Sequence, residues 1–236
     1  VDSRAPAGFV ALSDVDSSIL QDIRYATPHN FVGSPIDGYL EPLCILTRPA
    51  ALALHQVQVA ARARGYTVKV YDCYRPQRAV DEFVGWAKRL DDQTMKAEFY
   101  PDVAKADLFA EGYIGAPTAH SRGSAMDLTI VALPPKPQPS FVPGQPLVAC
   151  TAPVAQRFPD NSVDMATGFD CFDSLAHTTA ARVTGTPQAN RLLLRDLMSA
   201  AGFANYPNEW WHYSLVHEPF PSTYFNFPVA REALPS

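Results

Sequence analysis

A single α+β domain is what this 236-residue sequence predicts. Three observations carry the expectation. Hydrophobic residues make up 47% of the chain, enough to bury one substantial core. Between residues 48 and 90 the apolar spacing runs helix, strand, helix. A second strand pattern, "SAMDLTIVAL" at 124–133, follows the turn glycine Gly123. No internal repeat breaks the chain, so one domain is expected over 1–236.

Each element follows from local chemistry. "RPAALALHQVQVAARARG" places Pro49 at a helix start, apolar residues at helical spacing, arginines late and Gly65 as the stop. "YTVKVYD" (66–72) then reads as a strand. In "YRP" the proline drives Arg75 into an extended conformation at the strand's end, and "PQRAVDEFVGWAKRL" resumes the helical period. "PQANRLLLRDLMSAAG" is another helix, with Pro187 near its start and Gly202 at its stop, and "WWHYSLV" alternates like a strand. The segment "PPKPQPSFVPGQP" is too proline-rich for a helix or central strand, which makes about 133–160 a surface insertion.

Composition removes several partner classes. The net charge is −5 and the basic residues are scattered, so no nucleic-acid footprint exists. No run of 18 apolar residues marks a membrane-spanning helix. The chain begins at Val1 in the soft stretch "VDSRAPAG", which suits either removal of an export signal or a trimmed chain. Cys44, Cys73, Cys150 and Cys171 form no C-x-x-C pair and lie at no zinc-finger spacing from a histidine. Buried thiols and disulfides in any of three pairings remain open at this point.

Asp127 interrupts an apolar strand, where a carboxylate needs a cation or several donors. His120 and Asp127 stand as H-x6-D, and Glu209 and His212 as E-x2-H. A catalytic zinc takes three protein ligands of these types and leaves one position open. His120, Asp127 and His212 fit that set, and Glu209 is placed to act as general base. The bland alternative is equally simple, since such spacings arise by chance and a lone histidine is usually a hydrogen-bonded structural group. His29, His55, His177 and His217 are read that way. Of Trp210 and Trp211, one is expected in the core and the other on a pocket wall, because successive strand residues face opposite sides.

"SRGSAMDLT" followed far downstream by "EWWHY" resembles the D-alanyl-D-alanine dipeptidases found in vancomycin-resistance clusters, zinc enzymes that hydrolyse the free dipeptide. The likeness extends to "YATPHNF", "DGY", "DCYRPQRAV", "GFDCFD" and "PFPSTYFNFPV", nearly the whole chain outside the insertion. The resemblance implies a small, mostly antiparallel sheet flanked by helices near 49–64 and 187–201, with the metal at one end of the sheet. It implies one Zn2+ per chain on His120, Asp127 and His212, Glu209 as base, and Arg75 stabilising charge on the reacting carbonyl oxygen. Asp170 and Tyr25 would hold the dipeptide's amine, with Tyr39 and Thr118 near its carboxylate. Thr118 departs from the family's usual serine by one methyl group.

The implied reaction is hydrolysis of D-Ala-D-Ala to two D-alanines, in peptidoglycan turnover or glycopeptide resistance. Two other readings are a D-alanyl-D-alanine carboxypeptidase acting on longer stem peptides, and a zinc-containing cell-wall-binding module without turnover. Glu209 and Arg75 argue against the last, since binding alone needs neither. The oligomeric state is not legible. Against the family's cytoplasmic members the cysteines are extra: Cys73 takes a position commonly glycine, and Cys150 lies in the added segment. This implies Cys150–Cys171 and Cys44–Cys73 bridges and a periplasmic or secreted protein.

Overall fold

The computed structural model describes residues 3–236. In chain order it forms β1 (Phe9–Ala11), α1 (Leu12–Val15), β2 (Leu20–Gln21), β3 (Ile45–Thr47), α2 (Arg48–Ala63), β4 (Tyr66–Asp72), α3 (Gln77–Lys88), α4 (Lys96–Phe99), β5 (Ala125–Ala132), α5 (Gly185–Ala200), β6 (Phe203–Asn205) and β7 (His212–Leu215), with four short 3-10 turns between them and a fifth after β7. Helix α2 starts with Pro49 in its first turn, where a missing N–H costs nothing, and buries Ala50, Ala51, Leu54, Val57 and Ala61. Helix α5 begins at Gly185, two residues before Pro187, and buries Leu194, Leu197 and Met198. These two helices pack on one another, and α2 also packs on β4.

The sheet differs from the small, mostly antiparallel one expected. It has five strands in the order β2-β4-β5-β7-β6, and it is mixed because β2 pairs parallel with β4. The chain between β2 and β4 contains α2, and a helix-bearing crossover is what lets two neighbouring strands run parallel. β1 and β3 form a separate antiparallel ribbon. β5 lies at the centre of the five-stranded sheet, buried from Ala125 to Val131. Its pairing with β4 shifts register between Val70 and Asp72, so Asp72 stands opposite Asp127.

The ribbon reaches the turn that leads into β5. Gly123 adopts φ +92°, and a Cβ there would fall 2.3 Å from Phe9 Cε1. Only glycine satisfies both the left-handed backbone and that close approach.

The proline-rich segment forms no helix or strand, and residues 133–137 are exposed. It is nevertheless docked. Lys69 Nζ donates to Gln138 Oε1 at 2.8 Å and to Asp160 Oδ1 at 2.6 Å, and Arg24 Nη2 donates to Asp160 Oδ2 at 3.0 Å. His29 pairs with Glu98 at 2.6 Å and stacks on Phe141 at 4.5 Å, a structural role as expected. Both bridges form in the expected pairing, Cys44–Cys73 and Cys150–Cys171, with Cα separations of 5.3 and 5.6 Å.

Candidate active site

Three adjacent strands bring Asp72, Asp127 and His212 into one row. β4 sets Asp72 opposite Asp127, and β7 sets His212 opposite Asp127 on the other side. Directly opposed residues share a face of the sheet. His120 arrives from the 3-10 turn Ala119–Arg122, where Thr118 Oγ1 caps the turn by accepting from the His120 N–H. The ligand atoms of His120, Asp127 and His212 all lie within 4.8 Å of one another.

His120 Nε2 and His212 Nδ1 each lie 3.1 Å from Asp127 Oδ1. The other His120 nitrogen, Nδ1, lies 2.8 Å from the carbonyl of Cys73. A carbonyl only accepts, so Nδ1 carries a proton, and Nε2 is the nitrogen turned toward Asp127. Two imidazole nitrogens converging on one buried carboxylate oxygen form a group that could hold a metal cation. The donor set of two imidazoles and one carboxylate fits zinc with one position left open.

The electrostatics agree with a cation site. Burial pushes Asp127 up, yet the imidazoles of His120 and His212 hold it well below the usual carboxylate range. Burial lowers His212 despite its hydrogen bond to Asp127, which favours the neutral ring that binds metal.

A cavity of about 250 Å³ opens beside these ligands. Arg75, Glu209, Asp170, Tyr25 and Thr118 line it, together with the aromatic side chains of Phe31, Phe83, Tyr113, Phe172 and Tyr206. Arg75 donates Nε to Asp72 Oδ2 at 3.0 Å and lies 3.8 Å from Asp127 Oδ2, with its guanidinium 5.1 Å from the Tyr25 ring centroid. Glu209 is 9% exposed, and its carboxylate accepts no hydrogen bond among the described residues. Burial, and after it the charges of Asp127 and Asp170, push Glu209 well above the ordinary range. Tyr25 donates to Asp170 Oδ2 at 2.5 Å. Burial takes Asp170 up to about 7 against that hydrogen bond.

Two expectations differ from the structure, one implied by the family resemblance and one drawn from strand alternation. Tyr39 does not line the cavity: it donates to Asp72 Oδ1 at 2.6 Å, behind Arg75. Neither tryptophan lines it, although one was expected to. Trp210 donates to Thr167 Oγ1 at 2.8 Å, and Trp211 packs edge-on to Phe169. The strand begins only at His212, so strand alternation does not govern the pair before it. Asp72 was missed altogether. Its signal is the spacing to Arg75, three residues on and just before Pro76.

The family described as D-ala-D-ala dipeptidase, Peptidase_M15, matches residues 5–134 and 154–230, leaving out most of the proline-rich segment. A D-alanyl-D-alanine dipeptidase of Enterococcus faecalis is 37% identical over 223 residues, spanning 94% of this chain and 98% of that protein. One of Streptomyces coelicolor is 38% identical over 222 residues with the same two coverages. One of Enterococcus faecium is 33% identical over 222 residues, again covering 94% and 98%.

Proposed function

The chain belongs to the D-Ala-D-Ala dipeptidases of the Peptidase_M15 family, and from that premise we propose that it hydrolyses free D-Ala-D-Ala to two D-alanines with one zinc held by His120, Asp127 and His212. The observation that carries the reading is the meeting of two imidazoles and a carboxylate on the wall of a cavity that also contains a glutamate whose carboxylate accepts no hydrogen bond among the described residues. A volume of about 250 Å³ lies below the roughly 300–1,000 Å³ of sites for drug-sized ligands. A dipeptide suits it.

Zinc bound there supplies a Lewis acid that acidifies water and polarises a peptide carbonyl. Glu209 takes the proton from the attacking water and delivers it to the leaving amine nitrogen as the C–N bond breaks. Its carboxylate lines the cavity and accepts no hydrogen bond among the described residues, which leaves it free for both transfers. Arg75 is held by Asp72 so that its remaining N–H groups meet the negative charge growing on the carbonyl oxygen. Tyr39 steadies Asp72 from behind, so its part is in orienting Arg75 rather than touching substrate. Asp170, oriented by Tyr25, receives the dipeptide's ammonium group, and the Thr118 hydroxyl is a donor for its carboxylate. Two disulfides suit an oxidising compartment, which makes the periplasm or the exterior of the cell the place of action, on products of peptidoglycan metabolism.

The test is a product assay with free D-Ala-D-Ala and with a stem pentapeptide, each with and without chelator. D-Alanine released from the dipeptide, and only when metal is present, is the expected result. Equal release from the pentapeptide would make the protein a carboxypeptidase. No release from either would make it a binding module.

A further inference from the structure

We propose that the Cys44–Cys73 disulfide is a positioning device for the metal ligand His120. It secures the Cys73 carbonyl, which decides the nitrogen that His120 turns toward Asp127 and the metal. The inference rests on the zinc reading above.

Cys73 lies just beyond the ladder of the sheet. The pairing of β4 with β5 ends at Asp72, after a register shift, so no strand neighbour of β5 holds the Cys73 carbonyl. That carbonyl is nevertheless the partner of His120 Nδ1 at 2.8 Å. Partners of this kind fix a ligand's tautomer and ring orientation, and losing them commonly costs about 10- to 100-fold in metal affinity.

The missing restraint comes from the other side. The disulfide ties Cys73 to Cys44, which is itself anchored: its N–H donates to Gln21 Oε1 at 3.0 Å, and its carbonyl accepts from Leu12 N at 2.9 Å. From Cys44 the chain runs directly into β3. Ile45 O accepts from Tyr74 N at 2.9 Å, and Thr47 N donates to Gly123 O at 2.8 Å. The segment 44–47 therefore holds the surroundings of His120 at two points, by a hydrogen bond at residue 123 and by a covalent bond at residue 73. Without the covalent bond, the Cys73 carbonyl is restrained only through its chain neighbours, Asp72 at the end of the β4 ladder and Tyr74 and Arg75 through their backbone hydrogen bonds.

The second bridge is a built-in control. Cys150–Cys171 closes 21 residues against 29 for Cys44–Cys73, so the two have similar entropic effects on stability. Cys171 adjoins Asp170, and neither cysteine of this bridge hydrogen-bonds to His120, Asp127 or His212 among the described residues.

The experiment compares the wild-type protein with Cys44→Ala/Cys73→Ala and Cys150→Ala/Cys171→Ala. Zinc dissociation constants are measured by competition with a chromophoric chelator, and Tm is measured on the metal-free proteins. Both variants should lose Tm. Only Cys44→Ala/Cys73→Ala should weaken zinc, by about 10- to 100-fold. Equal zinc affinity in that variant and the wild type, or equal weakening in both variants, overturns the inference. If that variant does not fold, the folded wild type is treated with a phosphine reductant, and alkylation maps which bridge has opened. Zinc lost in step with alkylation of Cys44 and Cys73 supports the inference; zinc retained after it overturns it. A wild-type protein that binds no zinc would instead overturn the functional reading itself, and this inference with it.

Discussion

Tyr25 and Asp170, 145 residues apart in sequence, meet in a 2.5 Å hydrogen bond on the wall of the cavity. Asp170 sits at φ +60°, a left-handed conformation unusual for a residue with a side chain. Burial raises its carboxyl to about 7, the Tyr25 hydrogen bond opposes this, and the charge of Asp127 adds to it. A substrate ammonium is the partner that would favour the ionised form.

The first prediction concerns chain length. Acylating the substrate nitrogen removes the cation and leaves the Asp170 carboxylate unpaired. Breaking a buried pair costs about 3–5 kcal/mol, or roughly two to four orders of magnitude in kcat/KM before any steric penalty. Free D-Ala-D-Ala should be cleaved that much faster than its N-acetyl derivative or a pentapeptide. Asp170→Asn should narrow the gap by damaging the dipeptide reaction most. A gap unchanged in Asp170→Asn would remove this residue from amine recognition.

Glu209 should separate chemistry from metal binding. Glu209→Ala is expected to lower kcat by about 100- to 10,000-fold, the usual scale of a general base. Metal analysis should still find one zinc per chain. Zinc lost from Glu209→Ala but kept in His212→Ala would reverse the two assignments.

Zinc should also stabilise the fold through mass action. A ligand at 100 times its dissociation constant adds about 2.7 kcal/mol. Tm should therefore rise with added zinc in the wild type, fall on chelation, and be insensitive to zinc in His120→Ala. Thermal scans across a zinc titration give the answer directly, and a His120→Ala protein that gains as much Tm as the wild type would exclude His120 as a ligand.

The contact under the insertion should be acid-labile. Burial pushes Asp22 up, but the charge and hydrogen bond of Arg24 and the Gln138 amide bring it down to about 2. A folded-state pKa below the ordinary 3.8 means stability that is complete above that value and lost as pH falls through about 2. Each tenfold change in proton affinity is worth about 1.4 kcal/mol, so the contribution is about 2 kcal/mol. Urea titrations of the wild type and Asp22→Asn should differ by that amount near neutral pH and converge under strong acid. A difference independent of pH would show that Asp22 acts by packing alone.

The long elements were legible because each carries many turns or residues of one period. α2, β4 and α3 appear where their spacing and their proline and glycine boundaries put them. β1, β2, β3 and β6 span two or three residues each, too few to show a period, and β2 owes its pairing to a partner 49 residues away, Leu20 against Lys69. The parallel pair was invisible for that reason. In the site, His120, Asp127, His212 and Glu209 stood in short motifs whose residue types already name a chemistry. Tyr39 and Asp72 carry none alone. Their roles come from the register shift after Val70 and the turn at Pro76, which tertiary packing decides.

Phe9 pressed against Gly123 makes the first strand a backstop for catalysis. Residues 9–11 contribute no ligand, no acid and no base, yet they occupy the space into which the turn bearing His120 would otherwise relax. A cut between β1 and β2 would spare every side chain of the proposed site and still take away the support of the turn that carries His120.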